Sequence, residues 1–253
     1  MARISVIRLG QSSIVVSLPW FDATLKSQYL SDLEIFLSLT FLVIFPALLI
    51  AVILHEIAHG LAAEKLGDPT ARALGRITLN PISHIDPFMT LILPGVLILS
   101  GSPIVFGGAK PVPVNPNYFV NPRRGMLWVA LAGPITNFIL ATAHYLLLLG
   151  LYGLVGGESA GMGIQIIELF LGYSVLINLV LGIFNLIPIP PLDGGRILVG
   201  ILPIRLARPV ARLERYGLLI LVLLLFSGVI DSFLSPIFSF ILEHLFQISP
   251  EMA

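Results

Sequence analysis

The chain has no cysteine, and its 253 residues include only 14 lysines or arginines and 14 aspartates or glutamates. The missing cysteine excludes disulfides, thiolate nucleophiles and thiolate metal sites, so any metal has to be held by His, Asp or Glu. The shortage of charge excludes more. Charged residues make up 11% of the chain and hydrophobic ones 57%, against roughly 25% and 45–50% in soluble domains. A soluble globular enzyme, a disordered chain and a nucleic-acid binder would all need more polar surface. The composition, with a mean hydropathy of +0.98, reads as an integral membrane protein. Net charge is zero, so no polyanionic partner is implied. The length suits one compact membrane domain. The opening residues (MARISVIR) lack the basic, apolar, small-residue order of a cleavable signal peptide.

About 20 apolar residues cross the ~30 Å hydrocarbon core as a helix. Residues 33–54 form the first such run, continuing through Leu61-Ala62-Ala63-Glu64 and stopping at Gly67-Asp68-Pro69. Residues 126–154 and 164–189 give two more, and 218–230 the centre of a fourth. Residues 88–106 are apolar but interrupted by Pro94, Gly95, Gly101 and Pro103, which fits a full span, a re-entrant hairpin or a strand-containing insertion. Basic residues decide between these, because Lys and Arg prefer cytoplasmic loops. If 88–106 dips in and returns, eleven of the 14 (Lys65, Arg72, Arg76, Lys110, Arg123, Arg124, Arg196, Arg205, Arg208, Arg212 and Arg215) share the cytoplasm, leaving Arg3, Arg8 and Lys26 outside.

The expected fold is thus an all-α polytopic membrane protein. It has about four to five transmembrane helices, a re-entrant or β-hairpin insertion over about 88–116, and a C-terminal amphipathic helix. In that helix Phe233, Leu234, Ile237, Phe238, Ile241, Leu242, Leu245 and Phe246 share a face opposite Ser232, Ser235, Ser239, Glu243 and Gln247. Three regions follow: an N-terminal interfacial segment (1–32), with extended structure suggested around 4–18; the membrane-embedded core (33–215); and C-terminal transmembrane and amphipathic helices (216–253).

His55-Glu56-Ile57-Ala58-His59 lies near the cytoplasmic end of the first run. Positions i and i+4 share a helix face, so the two imidazoles converge, and Glu56 can reach a water bound between them. Two neutral imidazoles suit Zn²⁺, and the carboxylate suits a general base. With five His and eight Glu in the chain, the pattern arises by chance about 0.3% of the time, and three ionisable side chains inside an apolar span are costly unless functional. A catalytic zinc usually takes a third protein ligand. The extended HExxHxxGxxH pattern fails, because Ala62 and Lys65 occupy its remaining positions. Farther on, Asn185-Leu186-Ile187-Pro188-Ile189-Pro190-Pro191-Leu192-Asp193-Gly194-Gly195 interrupts a span. Non-helical backbone at membrane depth survives only where it is buried or lines a wet cavity. Asp193 is the candidate third ligand, with a helix cap near Gly194 as its alternative.

HEIAH paired with a distant Asn-x-x-Pro-x-x-Pro-Leu-Asp-Gly resembles the site-2 proteases, intramembrane zinc metalloproteases that cut transmembrane segments of their substrates. The resemblance covers most of residues 45–200. Ala132-Gly133-Pro134-Ile135-Thr136-Asn137 and the stretches 76–87 and 109–116 match further parts of the family pattern. It implies one zinc held by His55, His59 and Asp193, Glu56 as base, supporting polar roles for Asn137 and Asn185, and a membrane-inserted hairpin over 88–116. The compact form leaves no room for a PDZ insert or a soluble regulatory domain, and Gly107-Gly108 stands where close relatives are expected to carry tryptophan.

The residues qualify those roles. Asn137, four after Gly133, suits an interhelical hydrogen bond at a close crossing as well as it suits catalysis. Asn185, ahead of the chain break, suits contact with substrate backbone or an oxyanion. His144 reads as packing, and His84 and Asp86 as loop-structuring. Arg205 to Arg215 suit anionic headgroups. The expected partners are transmembrane-helix substrates and the lipid bilayer, in a prokaryotic plasma membrane with the site near the cytoplasmic face. The rival readings are a secondary transporter, disfavoured by the low span count and the lack of an internal repeat, and a catalytically inactive helix-binding scaffold.

Overall fold

The computed structural model describes residues 5–8, 14–17, 23–99, 107–155 and 161–245. The chain divides into two compact units, Met1–Phe45 and Pro46–Ala253. In the first, β1 (Ser5–Arg8) pairs antiparallel with β2 (Ile14–Ser17), within the stretch expected to be extended. The helix α1 (Ala23–Lys65) then begins.

Apart from that hairpin the described residues are helical or irregular. Three helical segments are long and apolar enough to cross a membrane: Leu42–Lys65 of α1, α4 (Pro122–Val155) and α5 (Met162–Asn185). The fourth expected span is not one long helix. It becomes α8 (below), a ten-residue helix about 15 Å long at 1.5 Å per residue, half the hydrocarbon thickness. Ser227 and Gly228, the latter at φ 73°, end it. That left-handed conformation is cheap only for glycine.

Between α1 and α4 lie α2 (Thr70–Ala73) and α3 (Leu93–Leu99). A single-turn π-helix (Pro87–Ile92) leads into α3. The insertion expected as a re-entrant or β-hairpin element is therefore helical over 87–99; residues 100–106 lie outside the described part. Four of the five Asx-Pro pairs in this region open a helical turn for one physical reason. Asn80, Asp86, Asn115 and Asn121 each accept a backbone N–H of the turn they precede. The following prolines occupy first positions, where the missing N–H costs nothing. Buried His84 holds the Thr78 carbonyl through Nε2 (2.9 Å), as its loop-structuring role requires.

Residues 107–115 return along this element. Gly108 N–H donates to the Met89 carbonyl (3.0 Å), Thr90 Oγ1 to the Gly108 carbonyl (2.6 Å), and Lys110 N–H to the His84 carbonyl (2.8 Å). The two ends of the insertion are thereby tied together. Its far end is tied to the end of α1: Asn115 N–H donates to Asp68 (2.6 Å).

After α5 the chain makes an irregular turn containing a cis Pro190–Pro191 bond. It continues as α6 (Asp193–Ile201), α7 (Ile204–Leu213), α8 (Gly217–Phe226) and α9 (Val229–Leu245). Helix α4 packs on both α5 and α6. Leu221 of α8 joins Ile230 and Leu234 of α9, and Ile187 and Leu192 of the turn, in one buried cluster. The buried side of α9 thus runs through Ile230, Leu234 and Ile241, while Phe233 and Phe240 face outward. Part of the face expected to be apolar carries the packing, and the exposed phenylalanines stand beside it. The final residues expected on that helix, Phe246 and Gln247, lie outside the described part.

Asp68 is fully buried at 0% exposure. Burial alone would raise its pKa, but the Thr70 hydroxyl and the N–H groups of Asn115 and Thr70 outweigh burial and hold the carboxyl below its usual range. The contribution is therefore complete above about pH 4 and is lost as pH falls through the lowered folded value. Asp68→Ala is expected to cost about 2–4 kcal/mol, read as a lower Tm in detergent near pH 7. That difference from wild type should shrink on acidification below pH 4.

Candidate metal centre

His55 and His59 lie one turn apart on α1, and Asp193 opens α6. The structure brings all three together. His55 Nε2 and His59 Nε2 are 3.0 Å apart, and Asp193 Oδ2 lies 3.1 Å from the first and 3.2 Å from the second. All three residues are buried.

The outer nitrogens of the rings decide what faces inward. His59 Nδ1 lies 2.7 Å from the carbonyl oxygen of Val129, which can only accept, so Nδ1 carries the proton. His55 Nδ1 lies 2.6 Å from Asn137 Oδ1 and donates in the same way. Each neutral imidazole then points a bare Nε2 lone pair at the other ring and at the carboxylate. Asp193 Oδ2 is buried without a hydrogen-bond donor among the described residues. With both rings neutral, three electron-pair donors converge with no proton between them.

That arrangement repels itself unless a cation is shared. One proton bridges a single pair of atoms; a divalent ion satisfies all three. A tetrahedral ion with bonds of about 2.0–2.1 Å holds its ligand atoms about 3.3 Å apart, close to the separations found. Second-ring hydrogen bonds from ligating histidines to carbonyl or amide groups are the usual support of such a site. The donor set fits a metal.

Glu56 belongs to the same cluster, its ligand-type atom lying within 4.8 Å of those of His55 and His59. The backbone N–H of Val112 donates to Glu56 Oε2 (2.7 Å), so the returning arm of the insertion positions this carboxylate. A cavity of about 320 Å³ opens beside these groups, lined by His55, Glu56, His59 and Asp193, residues 107–109 and Val112 of the insertion, Asn185, Arg196 and apolar side chains of α4, α5 and α8. Asn185 stands at its wall, with its amide Nδ2 donating to the Leu181 carbonyl (2.9 Å). Asn137 stands behind it: it is 0% exposed and bonded to His55 and to Asn178 of α5. Arg196 pairs with exposed Glu214 (2.8 Å). His144 is half-buried and meets the Phe170 ring edge-on.

Asp193 reaches this point because α5 stops at Asn185 and three prolines keep the following backbone from continuing the helix. The tight turn requires Gly194, where a Cβ would run into the carbonyl oxygens of Leu186 and Ile187. Two supports of the site had not been read from the sequence: the Val129 carbonyl and Asn178. A main-chain acceptor leaves no mark in a sequence. Asn178, a polar residue amid Leu176, Ile177, Leu179 and Val180, did carry a signal.

The family model described as Peptidase family M50 matches residues 43–228. YwhC of Bacillus subtilis is 36% identical over 195 residues, 77% of this chain and 81% of the relative. Rip2 of Mycolicibacterium smegmatis is 32% identical over 191 residues, 76% of this chain and 69% of the relative. Both are named as putative zinc metalloproteases. The zinc metalloprotease MJ0392 of Methanocaldococcus jannaschii is 29% identical over 165 residues, 65% of this chain and 36% of the relative. No solved structure matches.

Gly133 lets α4 lie directly against both rings: a Cβ there would sit 2.5–2.6 Å from ring atoms of His55 and His59. Gly133→Ala is expected to displace the imidazoles, with an overpacking cost of about 1–3 kcal/mol, and to weaken metal binding at least about tenfold. Metal titration of the purified variant against a competing chelator measures this.

Proposed function

The chain belongs to peptidase family M50, the site-2 protease family, and on that premise we propose that it is a zinc-dependent intramembrane endopeptidase. It hydrolyses peptide bonds in or near transmembrane segments of membrane-protein substrates. The observation that carries this reading is the convergence of His55 Nε2, His59 Nε2 and Asp193 Oδ2 beside Glu56, at a cavity among apolar helices.

His55, His59 and Asp193 hold one zinc ion. When bound, zinc supplies Lewis acidity, lowering the pKa of a water and polarising a carbonyl. Glu56, oriented by the Val112 N–H, takes the proton of the attacking water and returns it to the leaving amine. Asn185, at the cavity wall, offers its amide to the substrate backbone or to the developing oxyanion. Asn137 acts from behind by holding His55. The irregular turn after α5 admits the water that hydrocarbon lacks. A substrate helix has its carbonyls locked in i→i−4 bonds, so it unwinds before cleavage. The irregular residues 107–114, part of the cavity wall, offer a backbone edge beside which the unwound segment lies.

For the membrane topology, the hydrogen bonds joining Gly108 to Met89 and Thr90 support an insertion that enters and leaves on one side. Helices α8 and α9 together supply the remaining crossing, so residues 216–253 form a C-terminal unit after the core at 33–215, and 1–32 an interfacial segment. The N-terminus lies outside and the site near the cytoplasmic face of a prokaryotic plasma membrane. There Arg205, Arg208 and Arg212, on one exposed face of α7, meet anionic headgroups.

Glu56→Gln tests the chemistry. Purified wild type and variant are expected to bind one zinc each, and only wild type should cleave a reporter transmembrane peptide, the variant losing at least about 10²–10⁴-fold. Equal cleavage by both would remove Glu56 from its role. Zinc binding with no cleavage by either would favour the inactive scaffold, and transport activity without zinc the transporter.

A further inference from the structure

The tautomer of His55 is set from a distance. Ser174 offers a backbone carbonyl, which can only accept, so the Nδ2 of Asn178 faces it (2.8 Å). The other end of that amide, Oδ1, then faces Asn137 and accepts from its Nδ2 (2.9 Å). The Asn137 Oδ1 is left to accept from His55 Nδ1 (2.6 Å). Direction thus passes from one main-chain carbonyl on α5 through two amides to a ring on α1. The four residues are all buried, with Asn137, Asn178 and Ser174 at 1% exposure or less, so no solvent relaxes the polarity.

The two ends of an asparagine amide have almost the same shape, so packing alone does not orient it. Turned over, Asn137 would present its NH₂ to His55 Nδ1. That bond forms only if the ring proton has moved to Nε2. An Nε2–H would then donate to Asp193 Oδ2, 3.1 Å away, giving a hydrogen-bonded site with no place for a metal. The Ala51 carbonyl, the second acceptor of the Asn137 amide, is long at 3.4 Å and holds it weakly.

We infer that Asn178 is a positioning residue that selects the metal-binding tautomer of His55 over this proton-filled alternative, by fixing the orientation of the Asn137 amide. The inference rests on the zinc reading above and adds a residue that touches neither metal nor substrate.

Orientation is what distinguishes this role from packing. An aspartate at position 137 would accept from His55 whichever way it turned, so Asn137→Asp should bind zinc and no longer need Asn178. The test is a four-way comparison of wild type, Asn178→Leu, Asn137→Asp and the double variant in the purified full chain. Zinc affinity comes from chelator competition and ligand geometry from the visible spectrum of the cobalt-substituted protein. Asn178→Leu is expected to weaken zinc about 10–100-fold, and the same change in the Asn137→Asp background about threefold or less. Equal losses in both backgrounds, a loss below threefold in Asn178→Leu, or failure of Asn137→Asp to bind zinc would overturn the inference. A wild type that binds no zinc would overturn the zinc reading as well.

Discussion

Two imidazole nitrogens and one carboxylate oxygen face one another at 3.0–3.2 Å in a buried site, and with both rings neutral the three are electron-pair donors with nothing between them. Their mutual repulsion is the constraint on which the rest of the structure depends. Burying such a set uncompensated costs several kcal/mol, so the fold spends much of its polar chemistry holding it in readiness for a cation. The Val129 carbonyl and the Asn137 amide take the ring protons to the outside. Gly133 brings α4 close enough to offer both. The same helix therefore supplies the space and the acceptors, which is why it packs against the carrier of Asp193 as well as against α5.

The proposed third ligand and the proposed base are placed by departures from helical structure. Asp193 stands where it does because α5 ends in a proline-rich turn, and Glu56 is addressed by a backbone N–H from a segment that is itself not helical. In an apolar environment such backbone is tolerated where its polar groups are used. Here they are: the returning arm of the insertion bonds to its own outgoing arm, to Glu56 and to Asp68. Asp68, just past the end of α1, thus anchors the strip that reaches the Glu56 carboxylate.

Much of this was legible in the sequence, and the reasons are specific. His55, Glu56 and His59 share a helix whose period puts them together, and Asp193 stood out because a carboxylate beside three prolines in an apolar run has few other uses. Charge is so scarce that each ionisable group inside a span carried information. The break within the fourth expected span was not legible, because hydropathy does not register Ser227-Gly228 as a stop, although Gly228 turns the chain. The helical form of the insertion was not legible either: it opens on a π-helical turn started by Asp86 and Pro87. The supports behind the metal ligands depend on which of two amide ends points where, and that is a property of packed helices rather than of composition.

The central claim is that Asp193 completes a metal site begun by the two histidines of α1. Zinc K-edge X-ray absorption on the purified wild type and on Asp193→Ala tests it most directly. One zinc per wild-type chain is expected, with two imidazole nitrogens and oxygen donors at about 2.0–2.2 Å. In the variant, the metal should be lost or its shell visibly altered. A wild-type spectrum without imidazole, or an identical zinc environment in the variant, would contradict it.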